Sequence, residues 1–388
     1  MIGPQASAEP PRAGAATPSL LTLAREWGRI GCIGFGGPPA HIALLRELCV
    51  ERRAWLTSPQ FERAIAATNL LPGPSSTQLA IYCAWRLRGT RGALLGGLCF
   101  IVPGLAAIIA LAVLFLAGSP PAWARAAGAG AGAAVAAVAV KAGLVVGLPI
   151  WEQAARPDRR ARVLAYGLAG ALAAALLGAW LVLVLLACGA VELALERRSG
   201  WPLLALGAKP GGLWALAWTA LKIGALAFGG GFVIVPLMLA DAVGTYHWMS
   251  HSQFLNAVAL GQLTPGPVVQ TVAVVGYAAA GLPGALLAGA VAFAPSFSFV
   301  LLGGARFERL LGDPRVRAFL AGAAPGAAGA IVGAAVPLAG ALAEGWQYAV
   351  LAGAAVVLLA FRRGIVTTLL LAGGAGLLAA LAGAPIPA

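Results

Sequence analysis

GFGGPP at residues 34–39 and LPGP at residues 71–74 are the two runs that decide the fold. Proline has no backbone N–H and blocks the helical turn before it, so each run predicts a break in a helix. Both runs recur in the second half of the chain, as FGGG at 228–231 and TPGP at 264–267. We therefore expect four broken segments in two related pairs. The prolines expected to break helices are Pro38, Pro72, Pro74, Pro265 and Pro267.

The recurrence extends well beyond these runs. Phe35 matches Phe228, a spacing of 193 residues, and after the PGP runs the spacing falls to 192, where Gln78 matches Gln270. Ordered matches at a nearly constant spacing indicate a duplicated chain. Other pairs that keep one of the two spacings are Arg29 and Lys222, Gly31 and Gly224, Trp55 and Trp248, Gly89 and Gly281, and Pro103 and Pro295.

The duplication predicts a first repeat at 20–205 and a second repeat at 210–388. Residues 1–19 lack the apolar core of a signal peptide and are interpreted as a disordered cytoplasmic tail. Repeats of this kind are typical of secondary transporters.

The composition indicates an all-α integral membrane protein that crosses the bilayer several times. The chain is 60% hydrophobic and 10% charged, with a mean hydropathy of +0.89. Several apolar segments reach the roughly 20 residues that a membrane-spanning helix needs. The net charge of +13 does not indicate nucleic-acid binding, because the arginines form short clusters between apolar segments, as in cytoplasmic loops. The five cysteines form no CxxC pair, so neither a disulfide framework nor a zinc site is indicated, and no cofactor is expected.

The distribution of arginine predicts that the two repeats have opposite orientations. The first-repeat loop contains four arginines, whereas its counterpart at 239–256 contains no Lys or Arg, and the segment 305–317 has four arginines where 113–125 has one. Under the positive-inside rule, this exchange indicates an inverted-topology repeat. The sequence leaves open whether 163–195 forms one long helix or two short ones. The first-loop arginines are Arg46, Arg52, Arg53 and Arg63.

The breaks are candidate anion sites. A half-helix that starts inside the membrane presents free N–H groups and a partial positive charge, and glycine lets the main chain approach a ligand closely. The sequence leaves open whether each PGP run forms a re-entrant or a kinked segment, and packing kinks without a ligand are the alternative. The candidate binding residues at the breaks are Gly36, Gly37, Gly73, Ser75, Ser76, Gln78, Gly229, Gly230, Gly266 and Gln270.

Several cations are further candidates. Arg29 and Lys222 occupy equivalent positions and could neutralise an oxyanion or extend to lipid headgroups. His41 and Arg46 have apolar counterparts, so any binding role for them is asymmetric, and topology alone could explain Arg46. Lys141 lies deep in an apolar run, where it is either functional or paired with Glu152 or a backbone carbonyl.

The motifs resemble those of one known family. FGGPPAHIALLRELCVERRAWLTSPQF at 35–61 and LPGPSSTQLA at 71–80, with LAFGGGFVIVPLM at 226–238 and LTPGPVVQT at 263–271, are similar to the chromate ion transporter family in its long, two-domain form. The resemblance implies a carrier in the bacterial inner membrane that exports chromate and confers resistance, with sulfate as the natural analogue. The coupling ion and the oligomeric state, including a homodimer, stay open.

Other classes of function fit less well. No HExxH helix and no Gly-x-Ser-x-Gly elbow is present, so an enzyme is not expected. No nucleotide-binding loop is present either, which favours an ion gradient or exchange as the energy source. A carrier of sulfate or another inorganic anion, and a non-transporting structural or regulatory membrane protein, remain the alternatives.

Overall fold

The protein is helical throughout the part of the chain described by a computed structural model. That part comprises residues 17–69, 73–116, 120–177, 180–195, 212–227, 234–303 and 313–387. No strand occurs among these residues, which confirms the all-α fold class. Nearly all of the predicted tail and the whole predicted repeat boundary at 205–210 lie outside them.

The first repeat contains eight helices among the described residues. They are α1 (Leu20–Ile33), α2 (Pro38–Arg46), α3 (Ser58–Asn69), α4 (Ser75–Leu116), α5 (Ala122–Ala133), α6 (Val135–Gln153), α7 (Pro157–Leu176) and α8 (Leu181–Leu195). The segment 163–195 is therefore two helices and not one long helix.

The second repeat also contains eight helices among the described residues. They are α9 (Gly212–Leu226), α10 (Ile234–Leu239), α11 (His251–Leu263), α12 (Val272–Gly303), α13 (Pro314–Gly333), α14 (Ala335–Gly340), α15 (Gly345–Ala355) and α16 (Ile365–Leu381). A short 3₁₀ turn, Val268–Thr271, precedes α12.

Within the described part of the chain, four helical stretches are long and apolar enough to cross a membrane. Large apolar side chains such as Leu98, Leu172, Leu286 and Leu370 are at least half exposed, which suits a surface that faces lipid. The chain is accordingly a multi-pass membrane protein. The four stretches are Ser75–Leu116, Ala122–Gln153, Val268–Gly303 and Pro314–Gly340.

The backbone repeats the duplication seen in the sequence. A π-helical turn at Glu47–Arg52 recurs at Ala240–Thr245, and the positive φ of Ala54 recurs at His247, both with the 193-residue spacing. Local conformation therefore confirms the two repeats independently of residue identity.

Helices α4 and α12 are each helical hairpins. Gly89 has φ 58° and ψ −151°, and its counterpart Gly281 has φ 60° and ψ −152°, so the chain reverses direction at both glycines. A Cβ at Gly92 would meet the carbonyl of Ala84, because the two arms of the α4 hairpin lie in contact. Each hairpin thus has a short first arm and a long second arm.

The long arms of the two hairpins pack against each other in opposite directions. Gly97 of α4 lies against the ring of Phe297, and Gly289 of α12 lies against Leu105. These contacts are equivalent under the 192-residue spacing, so a pseudo-two-fold axis passes between the arms. Since equivalent membrane-spanning arms run antiparallel, the two repeats have opposite orientations, as the arginine distribution predicts.

The repeats also interlock at their ends. Helix α5 packs on α16, where Gly130 lies against the carbonyl of Ala372, and α13 packs on α8, where Gly322 lies against the carbonyl of Cys188. The last helix of each repeat therefore contacts the other repeat. The chain forms one interlocked bundle in which glycine allows close helix contacts.

Candidate functional site

The first break separates α1 from α2. Helix α1 ends at Ile33, Gly37 has φ 73°, and α2 begins with Pro38 and Pro39. Neither proline has an N–H group, so the start of α2 offers fewer backbone donors than an ordinary helix N-terminus.

The second PGP run forms a re-entrant hairpin. Helix α11 ends at Leu263, and the chain turns at Gly266, which has φ 104°. A Cβ at Gly261 would collide with Oγ1 of Thr271, so residues before and after the turn lie side by side. The alternative of a kinked, continuing helix is excluded here, because ten residues of straight helix would separate these positions by about 15 Å.

Each break meets a break of the other repeat. The N–H of Gly266 donates to the carbonyl of Gly34 at 2.9 Å. On the opposite side of the pseudo-two-fold axis, Gly73, with φ 122°, lies beside the carbonyl of Gly224. The tertiary fold thus brings the broken segments together in crossed pairs that sequence spacing alone did not indicate.

His41 holds the first break in place. The side chain is fully buried, its Nε2 lies 2.8 Å from the carbonyl oxygen of Gly34, and its Nδ1 lies 3.1 Å from Oγ of Ser76. A carbonyl oxygen only accepts, so Nε2 carries the hydrogen and the neutral Nδ1 accepts from Ser76. The ring packs edge-on against Phe100. His41 therefore holds the first break through a hydrogen bond to the backbone carbonyl of Gly34.

Two equivalent glutamines stabilise the PGP turns. Nε2 of Gln270 donates to Oγ1 of Thr264 at 2.8 Å and to the carbonyl of Pro265 at 2.9 Å. Gln78 occupies the corresponding place, since a Cβ at Gly73 would lie 2.5 Å from its Nε2. Both side chains are fully buried. They therefore support the turns that shape the breaks.

Buried hydroxyl groups surround the first PGP turn. Ser75, Ser76 and Thr77 are all buried in the first turn of α4. Oγ1 of Thr77 and Oγ of the buried Ser296 have no hydrogen-bond partner among the described residues. Sequence reasoning missed Ser296, whose only signal was its position next to Pro295, the repeat of Pro103.

The predicted cation Lys222 lies outside this cluster and is already paired. Its Nζ lies 2.6 Å from Oδ2 of Asp241, which also accepts from Thr219 at 3.0 Å. Asp241 is 4% exposed, so the pair is largely removed from solvent. The sequence prediction did not include this carboxylate. A direct role of Lys222 in anion binding stays a prediction and requires the ion pair to open.

The first repeat has a matching ion pair with the charges reversed. Glu26, the counterpart of Thr219, is buried on α1 and accepts from Arg52 at 2.9 Å and from Arg53 at 2.7 Å. Both pairs tie the helix before a glycine break to the π-helical turn that follows it. Each ion pair therefore holds the π-helical turn against the helix that precedes it in the chain.

Three other predicted cations lie away from the paired breaks. Arg29 is exposed on α1. Arg46 contacts Ser58 at 3.0 Å and Glu62 at 3.4 Å on the half-exposed side of α3. Lys141 lies 3.5 Å from the carbonyl of Leu358, in a π-helical turn, which agrees with the backbone-carbonyl alternative. Their roles in binding are not tested by these contacts.

Some predicted residues lie outside the described part of the chain. These are Pro72, Gly229 and Gly230, so the structure describes one glycine break, the whole second PGP turn and part of the first. Among the described residues, no group of three or more His, Cys, Asp or Glu side chains could hold a metal ion.

Comparison with known proteins identifies relatives across both repeats. The family model described as Chromate transporter matches residues 21–193 and 214–378. A chromate transport protein of Cupriavidus metallidurans is 31% identical over 360 residues, covering 84% of each chain. A chromate transport protein of Pseudomonas aeruginosa is 31% identical over 340 residues, covering 81% of this chain and 80% of that one. No solved structure matches this chain.

Proposed function

The chain belongs to the chromate transporter family, and we propose that it is a secondary transporter that carries chromate and sulfate-like oxyanions. The proposed location is the bacterial inner membrane, and the proposed direction is export, which gives chromate resistance. The proposed activity is transport and not catalysis, which is supported by the names of the relatives as transport proteins.

One observation carries the proposal, namely the contact between breaks of opposite repeats. The N–H of Gly266 and the carbonyl of Gly34 belong to different repeats and are joined by a hydrogen bond. Inverted repeats that meet at broken helices near the membrane centre are how many secondary transporters build a substrate site. A site made by both repeats opens to either side when one repeat tilts against the other.

The chemistry of the breaks supports an anion as the substrate. The four broken segments, 31–41, 69–80, 224–236 and 261–272, contain no Asp or Glu. They present backbone N–H groups and neutral side-chain donors, which suit a fully deprotonated tetrahedral oxyanion. We therefore propose that the oxyanion binds at the breaks, with Lys222 and Arg29 as contributors that become available when the repeats move.

The contact between Gly266 and Gly34 also suggests how binding is coupled to movement. An oxyanion is a stronger acceptor than a neutral carbonyl because its charge assists the hydrogen bond. A bound oxyanion can therefore replace the Gly34 carbonyl as the acceptor for the Gly266 N–H. Loss of this cross-repeat bond would favour the conformation in which the repeats separate.

Direct flux measurement tests the proposal. The purified full-length chain is placed in proteoliposomes, and chromate release is followed with an imposed ion gradient or with sulfate outside. We expect chromate flux above that of empty liposomes. The control variant Gly374→Ala, at a glycine with open space around it, should behave as wild type. Flux no higher than in empty liposomes, for chromate and sulfate alike, would refute a transport function.

A further inference from the structure

The two PGP turns each contain a glycine with positive φ, Gly73 and Gly266, but they differ in the hydroxyl groups around them. Residues 75–77 after the first turn are Ser, Ser and Thr, whereas 268–269 after the second turn are both Val. The long arms differ in the same sense, because Ser296 in α12 corresponds to Gly104 in α4 at the 192-residue spacing. The hydroxyl groups at these positions of one repeat therefore have no equivalent in the other repeat.

The contacts of Gly104 in α4 show what the equivalent residue of α12, Ser296, should face. A Cβ at Gly104 would meet the carbonyl oxygen of Pro265 and would lie 2.6 Å from Oε1 of Gln270. Gly104 therefore lies on the second PGP turn. The pseudo-two-fold axis that relates the repeats then sets Ser296 against the first PGP turn, beside Gln78.

Contacts made by α9 support the same placement. Gly224 packs against the carbonyl of Ala292, which lies one helical turn before Ser296 in α12. The carbonyl oxygen of Gly224 in turn lies 3.3 Å from a Cβ built at Gly73. Helix α9 thus connects this stretch of α12 directly to the first PGP turn.

The hydroxyl groups at this turn have hydrogens to donate. Thr77 and Ser296 both have 0% exposure, and neither hydroxyl has a hydrogen-bond partner in the described part of the chain. Buried polar groups without a partner are costly and rare in folded proteins. Two of them beside one turn indicate a ligand that accepts their hydrogens.

We infer that Thr77 and Ser296 donate hydrogen bonds to the transported oxyanion beside the first PGP turn. The inference rests on the proposed function and names the side chains that hold the anion. An oxyanion suits this pair because it accepts from several directions and its charge strengthens each bond. The two hydroxyl groups at the second PGP turn, those of Thr264 and Thr271, already donate to the carbonyls of Leu260 and Val268, so this turn serves mainly as the structural counterpart of the first.

Two conservative substitutions test this assignment in the full-length protein in nanodiscs. Thr77→Val and Ser296→Ala remove only the hydroxyl groups, and binding of chromate and of sulfate is measured by titration calorimetry. Each variant should raise the dissociation constant by about tenfold, since one charge-assisted hydrogen bond is lost. Thr90→Val and Ser298→Ala, at exposed positions of the same two helices, are the matched controls and should keep wild-type affinity.

The thermal midpoint of the anion-free protein shows whether the two hydroxyl groups bind the anion or stabilise the fold. Neither hydroxyl has a partner to lose among the described residues, so both site variants should melt at or above the wild-type temperature. If the wild type carries chromate, a lower midpoint, or unchanged affinity for both anions in both site variants, would overturn this inference. The proposed function would still stand. A wild type that neither binds nor carries any oxyanion would overturn the proposed function together with it.

Discussion

Gly97 lies against the ring of Phe297 across the boundary between the two repeats, and the equivalent contact joins Gly289 to Leu105. Each repeat provides one glycine that accommodates one large side chain of the other repeat. Such reciprocal contacts require antiparallel long arms, and the membrane then requires opposite orientations for the repeats. Orientation is therefore a consequence of packing at the centre of the bundle.

Opposite orientations can be measured by cysteine labelling in intact cells. Glu51→Cys and Gly244→Cys introduce thiols at equivalent exposed positions, in a background in which the five native cysteines are replaced. We expect a membrane-impermeant maleimide to label position 244 from outside and position 51 only after the cells are opened. Labelling of both positions from the same side would contradict the inverted repeat.

The turn glycines are expected to be required for transport. Gly73 and Gly266 have φ of 122° and 104°, which strains any other residue by about 1–3 kcal/mol. Gly73→Val and Gly266→Val should also displace Gln78 and Gln270, so chromate flux should fall about tenfold or more. The membrane level of both variants, measured by immunoblot, should stay near that of Gly374→Val. Normal flux in both variants would show that the PGP turns are packing kinks without a role in transport.

The pair formed by Lys222 and Asp241 should show the behaviour of a buried ion pair. Asp241→Asn leaves an uncompensated ammonium and should destabilise the protein by about 3–5 kcal/mol. The double variant Lys222→Met with Asp241→Leu removes both charges and should recover most of that loss in thermal midpoint. The chromate affinity of the double variant then tests whether Lys222 binds the anion. A lower affinity would support that role, whereas wild-type affinity would show that Lys222 is a purely structural residue.

The effect of His41 on stability and transport should come mainly from the hydrogen bond that its Nε2 donates to the Gly34 carbonyl. His41→Gln can still donate to the Gly34 carbonyl, whereas His41→Leu loses this donor and leaves Ser76 without its acceptor. Loss of a buried partner costs about 1–3 kcal/mol. The Leu variant should therefore have a lower thermal midpoint and lower chromate flux than the Gln variant. Equal losses in both variants would argue against the hydrogen bond as the cause.

Competition between anions tests whether the site only donates hydrogen bonds to its ligand and accepts none. Chromate and sulfate are largely or wholly deprotonated at neutral pH, whereas hydrogen phosphate retains a proton that needs an acceptor. A buried P–OH without a partner costs about 1–3 kcal/mol, or roughly five- to 150-fold in affinity. Sulfate should therefore inhibit chromate flux in vesicles far better than phosphate at matched concentration and pH. Equal inhibition by phosphate would require an acceptor within the site.

The sequence by itself determined the class, the duplication and the positions of the breaks. Each of these follows from local rules, because hydropathy over about 20 residues decides membrane insertion and a proline or glycine acts on its own turn of helix. The inversion was also readable, since the exchange of arginines between equivalent loops reports orientation directly. These predictions need no knowledge of which residues touch.

Only the tertiary structure decided which groups meet at the breaks. The bond from Gly266 to Gly34, the ion pair of Lys222 with Asp241 and the contact of Gly104 with Pro265 all join segments that are apart in the chain. Such contacts depend on how the two repeats cross and interlock, and many crossings satisfy the same hydropathy pattern. Lys222 therefore looked like a free cation in the sequence, whereas the fold neutralises it with a carboxylate 19 positions away.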